Sequence, residues 1–461
     1  MAPIIIESWL HDAIRKQLRE DTEFRRWMGK ETLPQITRPD IERYHVFMFR
    51  KAIAYASQKS VFYRDLLKKT GMKAEDINSP ADISRIPLTT PEDIAQYPYL
   101  FACIPLGDIS SITTFASSGT TGPQKKVFVS ENDLGRMTDF MATGMREVAK
   151  EGDIVQIMLP SRRPNDQASL LAIGVRKMGG IPAVTGNALS PDEQIKKICE
   201  NHPAVLFAET AYMWRVTQET CHAHDLKTKG VKTIFLTAEH CSDSMRKQLE
   251  KTWACEVEVH YGMTEMGLGV SIECEAHNGY HYNEADLMAE IVDPETGEAL
   301  QDDEEGEVVF TTLKREAMPL IRYRTHDISR FMGMACKCGA STLKKIAPVT
   351  RRREAIVKIN SDELYPSIFD ELLFQIPEII DYQAVFTKNG CKNILTLKIE
   401  AYKQGEEIQQ AVKEKLLSDK VIRKNTETGV LELPPIQSVK QGSLGRVERA
   451  KKLITDERAT R

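Results

Sequence analysis

No apolar run in this 461-residue chain is long enough to span a bilayer, so no membrane partner is expected. Between Met1 and Asp21 acidic side chains stand at Glu7, Asp12, Glu20 and Asp21, and no long apolar core separates them. A secretory signal is therefore not expected there. Charge of one sign is not in excess either. Lys and Arg number 62 against 66 Asp and Glu, the net charge is -4, and neither half is strongly basic. That argues against a nucleic-acid-binding protein. Cysteines number nine, an odd count without a secretion signal, so a disulfide framework is not expected and a reduced, cytoplasmic protein is. No internal repeat or low-complexity tract is visible, and the length calls for two or three domains.

What is present is a globular balance, 41% hydrophobic and 28% charged. Apolar residues recur at helical spacing from Ile41 to Tyr63. Thr90-Pro91-Glu92-Asp93 has the form of a helix start, with a hydroxyl cap and Pro in the first turn. From about Asp153 to Glu290, short apolar runs (154–159, 204–208, 233–237, 257–261) alternate with helical patterns (190–199, 242–251). The alternation predicts an α/β fold with parallel strands. Strands are expected at 289–292 and 306–312, in a β-rich subdomain. The basic cluster Arg351-Arg352-Arg353 marks a boundary between a large domain, 1–350, and a small α+β domain, 351–461, with a strand at 393–399 and a helix at 406–417.

Within this frame one loop stands out. Ser117-Ser118-Gly119-Thr120-Thr121-Gly122 is followed by Lys125 and Lys126. Glycines let the backbone approach a ligand and aim several N–H groups at one point, hydroxyls add donors, and lysines add charge; together they make a phosphate cradle. The order is not that of a Walker loop, and a plain Ser/Thr/Gly surface loop competes with this reading. Further on, Tyr261-Gly262-Met263-Thr264-Glu265 sits at a predicted strand end, where α/β sheets bind ligands. Its aromatic side chain can stack on a purine and its carboxylate can hold Mg²⁺ beside phosphates. Asp327 can accept two ribose hydroxyls, and Arg352 can contact the same nucleotide.

In this order the segments resemble the adenylate-forming superfamily, most closely its phenylacetate–CoA ligase branch. The resemblance runs over nearly the whole chain. It takes in Ser60-Val61-Phe62-Tyr63-Arg64, Ile86-Pro87-Leu88-Thr89-Thr90, the 117–122 loop, the 261–265 segment, Asp293-Pro294-Glu295-Thr296-Gly297-Glu298 and the stretch from Pro319 to Asp327. It implies that Ser117, Ser118, Gly119, Thr120, Thr121 and Gly122 cradle the ATP phosphates. Thr264 would touch the α-phosphate and Glu265 would ligate Mg²⁺. Tyr261 and Gly262, with the backbone at Ala238 and Glu239, would flank the adenine, and Asp327 and Arg352 would hold the ribose. The implied reaction joins a carboxylic acid to ATP as an acyl-adenylate and passes the acyl group to CoA, with a small domain swinging about a hinge near Glu354. A homodimer is implied as well. Two other readings stay open: adenylation with a non-CoA acceptor, as in deazaflavin coenzyme synthetases, and a nucleotide-binding protein without catalysis.

The chain also departs from that pattern. Where the family carries a C-terminal lysine, Arg449 stands, and Lys451 follows two residues on; either can supply the charge, though Arg and Lys are not equivalent at a reacting phosphate. Asn360-Ser361-Asp362 replaces a glycine after the hinge, in the loop implied to line the CoA tunnel. Arg162 and Arg163 stand in the acyl-pocket stretch, either to meet an anionic acid or as part of a solvated loop. Finally, Cys274, His281, Cys336 and Cys338 offer three thiols and an imidazole for a closed tetrahedral Zn²⁺ site, with His277 competing for the imidazole position. The resemblance supports a structural zinc here.

Overall fold

The N-terminal helices are set by caps and by one apolar stripe each. Leu10, Ile14 and Leu18 follow one another at four-residue spacing on the helix Ile5–Glu20, and all are buried. Asp21 then caps the helix Thr22–Met28, accepting from the amides of Glu23 (2.8 Å) and Phe24 (3.1 Å). The long helix Arg38–Lys59 stops short of the expected Tyr63. Ser60 turns extended there, and its hydroxyl accepts from the Tyr63 amide to start a second helix, Val61–Thr70. Thr90 caps the helix Pro91–Gln96 with a full capping box, as its sequence predicts.

The computed structural model describes residues 4–115, 124–334, 336–444 and 454–458. By internal contacts they form two units: Met1–Gly152, Arg162–Gly180 and His260–Pro348 in the first, Asp153–Ser161, Ile181–Val259 and Val349–Arg461 in the second. Among the described residues no helix is long and apolar enough to cross a membrane.

In the first unit the strands Ser111–Phe115 and Lys125–Val129 form an antiparallel hairpin, with Phe115 opposite Lys125. The helices Glu131–Val148 and Gln167–Lys177 pack closely; a Cβ on Gly174 would lie 2.8 Å from the Cβ of Met141. The strand Leu287–Val292 pairs antiparallel with Gly306–Thr312, which pairs antiparallel with Tyr323–Ser329. This is the expected β-rich part. A register shift between Glu307 and Val309 marks a bulge opposite His326, whose φ is +62°.

The second unit carries the parallel strands. In spatial order they are Ile181–Val184, Ile154–Met158, Val205–Glu209, Thr233–Thr237 and Glu256–Tyr261. Thr233–Thr237 is buried along its whole length, as a strand covered on both faces must be. The helices Pro191–Asn201 and Asp243–Trp253 fall where the periodicity places them. Residues 351–461 contribute a five-stranded sheet around the long antiparallel pair Ile379–Asn389 and Lys392–Ala401, with the helix Glu406–Ser418. Trp214, on the helix Thr210–Thr220, packs against Phe374 with ring centroids 5.0 Å apart and donates to the carbonyl of Ile379.

Candidate active site

The first unit gathers one carboxylate and its donors at the mouth of the hairpin. The strand Glu256–Tyr261 ends in Gly262, and the chain closes a tight turn, Thr264–Met266, that stops at Gly267 with φ +91°. Gly262 has no room for a side chain: a Cβ would lie 1.9 Å from the carbonyl oxygen of Leu268 and 2.5 Å from the His260 ring. The turn therefore folds tightly back, and it presents the Glu265 carboxylate inward.

Glu265 is buried. Its Oε1 accepts from the Nζ of Lys125 at 2.6 Å and from the hydroxyl of Tyr323 at 2.8 Å, while Arg315 donates to its main-chain carbonyl at 2.5 Å. Lys125 opens the second strand of the hairpin. Lys125 thus ties the hairpin to the carboxylate expected to hold a metal. The loop itself (Ser117, Ser118, Gly119, Thr120, Thr121, Gly122) and the C-terminal cations Arg449 and Lys451 lie outside the described residues.

A second pair sits nearby in the same unit. The hydroxyl of Tyr261 donates to Oδ2 of Asp327 at 2.7 Å, and the Tyr261 ring stacks on Tyr280 with centroids 6.2 Å apart. Asp327 is buried on the strand Tyr323–Ser329, and its amide is held by the Thr325 hydroxyl. Burial also pushes His260, just before Tyr261, down to about 4, so it is neutral at physiological pH. Two arginines that precede Asp327 are structural. Arg322, buried at φ +49°, binds Glu290 through two nitrogens and donates to the carbonyls of Ser84 and Ile86. Arg324 bonds Glu307 and the carbonyl of Pro294.

The remaining residues expected to meet a nucleotide belong to the second unit. Ala238 follows the strand Thr233–Thr237 in the left-handed region, φ +74°. The carboxylate of Glu239 accepts from the Ala211 amide at 2.9 Å, and its carbonyl accepts from the Thr210 hydroxyl, so Glu239 serves the start of the helix Thr210–Thr220. That structural task carries no signal in the sequence. Arg352 is exposed, on the short strand Arg351–Arg352. Asn360 takes φ +54° in the turn between the strands Val357–Ile359 and Asp362–Leu364, so it does the conformational work of the missing glycine. Arg162 and Arg163 are exposed, and their amides are tied to Asp166, which caps the helix Gln167–Lys177.

The cysteine cluster closes as the sequence spacing alone did not require. Ligand atoms of Cys274, His281, Cys336 and Cys338 lie within 4.8 Å of one another. Cys274 Sγ is 3.5 Å from Cys336 Sγ, and Cys338 Sγ is 3.4 Å from His281 Nε2. His281 sits on a buried strand, whereas His277 lies 3.5 Å from Glu273 and outside this group. Three thiols and one imidazole converging from two chain segments are the donor set and the number of a closed zinc site.

The chain matches the family model for AMP-binding enzymes over residues 111–313. It is 29% identical over 409 residues to a phenylacetate–coenzyme A ligase of Thermus thermophilus, covering 85% of this chain and 87% of the relative. To the phenylacetate–coenzyme A ligase of Aromatoleum evansii it is 28% identical over 376 residues, covering 80% and 84%. In structure it is similar to 2-hydroxyisobutyryl-CoA ligase in the postadenylation state, with a TM-score of 0.78 over 96% of this chain and 94% of that one, at 16% identity. With the hairpin, the 261–265 turn and Asp327 placed as described, the chain is similar to AMP-binding enzymes over residues 111–313 and, over most of its length, to phenylacetate–coenzyme A ligases.

Proposed function

We propose that this protein is an AMP-forming acyl- or aryl–CoA ligase. The observation that carries the reading is the Lys125–Glu265–Tyr323 cluster at the base of the phosphate-loop hairpin. A carboxylate oxygen of the acid attacks the α-phosphorus of ATP, the bond from phosphorus to the bridging oxygen breaks, and pyrophosphate leaves. The thiol of CoA then attacks the acyl carbon, and AMP leaves. Neither half asks the protein for covalent chemistry. It asks for aligned groups and for positive charge where negative charge builds.

In this reading Lys125 and the 117–122 loop receive the phosphates, and Thr264 touches the α-phosphate. Tyr261 and Gly262, with the backbone at Ala238 and Glu239, flank the adenine. Asp327 takes the ribose hydroxyls, assisted by Arg352. Glu265 is the carboxylate for Mg²⁺, which neutralises phosphate charge when bound; one buried carboxylate beside substrate phosphates suits its coordination habits. Arg449 or Lys451 supplies charge from the C-terminal domain, 351–461, which moves against 1–350. Cys274, His281, Cys336 and Cys338 hold a zinc that ties together the chain on either side of the β-rich part. Relatives named phenylacetate–coenzyme A ligases make an aryl acid the first substrate to try. A homodimer in the cytoplasm completes the reading. Pyrophosphate release from Mg-ATP that depends on an acid, with thioester formed on adding CoA, tests it; release without thioester points to another acceptor.

A further inference from the structure

A lysine lies buried beside the cysteine cluster of the first unit. Lys345 is 4% exposed, on the short strand Lys345–Ile346, which pairs antiparallel with Tyr280–Tyr282. It stands opposite His281, so the two side chains share one face of the sheet. Gly279 makes room for its stem: a Cβ there would lie 3.2 Å from Lys345 Cγ and 2.6 Å from the carbonyl oxygen of Ile346. The ammonium ends 3.9 Å from Sγ of Cys336. Among the described residues it has no carboxylate within ion-pair distance. Its neighbour Lys344 shows the ordinary arrangement, with Nζ 3.2 Å from the exposed carboxylate of Asp302.

The buried acids around the cluster have other partners. Glu7 accepts from the amides of Ser341 at 2.9 Å and Thr342 at 2.7 Å, and from the Thr342 hydroxyl. Glu284 accepts from Arg38 at 2.5 Å and from the Lys344 amide at 2.7 Å. Glu273 faces His277 at 3.5 Å. Glu7 and Glu284 thereby pin the chain that runs from Cys338 to Lys345. A buried ammonium is costly unless an opposite charge answers it. What meets Lys345 instead is a set of three thiols and one imidazole whose ligand atoms lie within 4.8 Å of one another. Around Zn²⁺, three thiolates and a neutral imidazole leave one net negative charge. Lys345 supplies one positive charge, and the sum is zero.

We propose that Lys345 is the charge partner of the zinc cluster: its ammonium neutralises the anionic complex that Cys274, His281, Cys336 and Cys338 form with Zn²⁺, and so raises the affinity for the metal. The proposal rests on the zinc reading above. Its test compares the wild type with Lys345→Met, which keeps the apolar stem and removes the charge. Zinc affinity is measured by competition with a chromophoric chelator, and melting temperature with and without added zinc. Lys345→Met is expected to bind zinc about 10- to 100-fold more weakly, the scale of losing a partner just outside the ligands. Its metal-free melting temperature is expected to stay at or above the wild-type value, because no carboxylate loses a partner. The gain in melting temperature on adding zinc at a fixed concentration shrinks with the affinity. Lys345→Gln, neutral with a polar end, serves where the first variant folds poorly. Unchanged zinc affinity in the neutral variant, or an equal loss of melting temperature with and without zinc, overturns the charge-partner role. Wild-type protein that takes up no stoichiometric zinc overturns the zinc reading itself, so the two failures are told apart.

Discussion

Lys125 and Glu265 meet at 2.6 Å, 140 residues apart in sequence, with the Tyr323 hydroxyl on the same carboxylate oxygen. The contact joins the strand Lys125–Val129 to the turn that follows the strand Glu256–Tyr261. In the ligase reading this pair stands where the β- and γ-phosphates and their metal arrive. Glu265→Gln or Lys125→Ala is expected to lower acid-dependent pyrophosphate release by about 10²–10³, the range for losing one preorganised electrostatic partner. Tyr323→Phe removes a neutral donor and is expected to cost about tenfold or less. Steady-state kinetics with melting curves on each variant separate these losses from unfolding.

Asp327 is expected to act on nucleotide binding rather than on the chemical step. Replacing it by Ala removes the carboxylate proposed to hold the ribose, which also accepts from the Tyr261 hydroxyl. The KM for ATP should rise by roughly tenfold with a smaller change in kcat, as for a group that binds ground state and transition state alike. A fall confined to kcat would contradict this role.

Gly262 tests the backbone. Any Cβ there meets the Leu268 carbonyl and the His260 ring. Gly262→Ala is expected to destabilise the first unit by about 1–3 kcal/mol, the usual cost of overpacking, and to lower activity with it. Thermal melting checks the first effect.

Stability should fall with acidity through buried histidines. Burial, reinforced by Arg38, pushes His45 down to about 3, and burial pushes His260 down to about 4, against 6.5 for a free imidazole. The unfolded chain therefore binds protons below pH 6.5 that the folded chain refuses. Stability is fully present above 6.5 and is lost as pH falls toward 4, at up to about 1.4 kcal/mol per pH unit for each group. His45 donates from Nε2 to the carbonyl of Glu284 at 2.8 Å, so His45→Gln can keep a donor there while removing the titration. Denaturant melts at pH 7 and pH 5 should show a smaller difference in that variant than in the wild type.

The cysteine cluster predicts about one zinc per chain by elemental analysis. Cys336→Ser should lose most of the metal and lower the melting temperature, and a chelator should do the same to the wild type. Metal-free protein of unchanged stability would remove the zinc.

Much of this was legible in the residues. Apolar runs at 233–237 and 306–312 coincide with the observed strands, because a strand buried on both faces has a continuous apolar signature. Thr90 announced its helix, since a capping box is a local device. The helix Gln167–Lys177 did not show, as its cap Asp166 hides in a basic, proline-containing stretch that reads as loop. The break at Ser60 was masked by apolar periodicity on both sides of it. Site residues were found by motif, but not their partners. That Lys125 pairs with Glu265, or that Glu239 serves the helix Thr210–Thr220, depends on chain crossings no local pattern encodes. Asn360 shows the opposite case: a missing glycine looked like a lost feature, yet Asn360 itself takes φ +54°, a conformation that glycine adopts readily.

The most direct test of the central claim is pyrophosphate release by the wild-type protein from Mg-ATP over aryl, aliphatic and dicarboxylic acids, each with and without CoA. The ligase account predicts release that depends on one class of acid, with AMP and a CoA thioester formed in equal amounts. ATP bound by the protein with no acid-dependent release across the panel would contradict it.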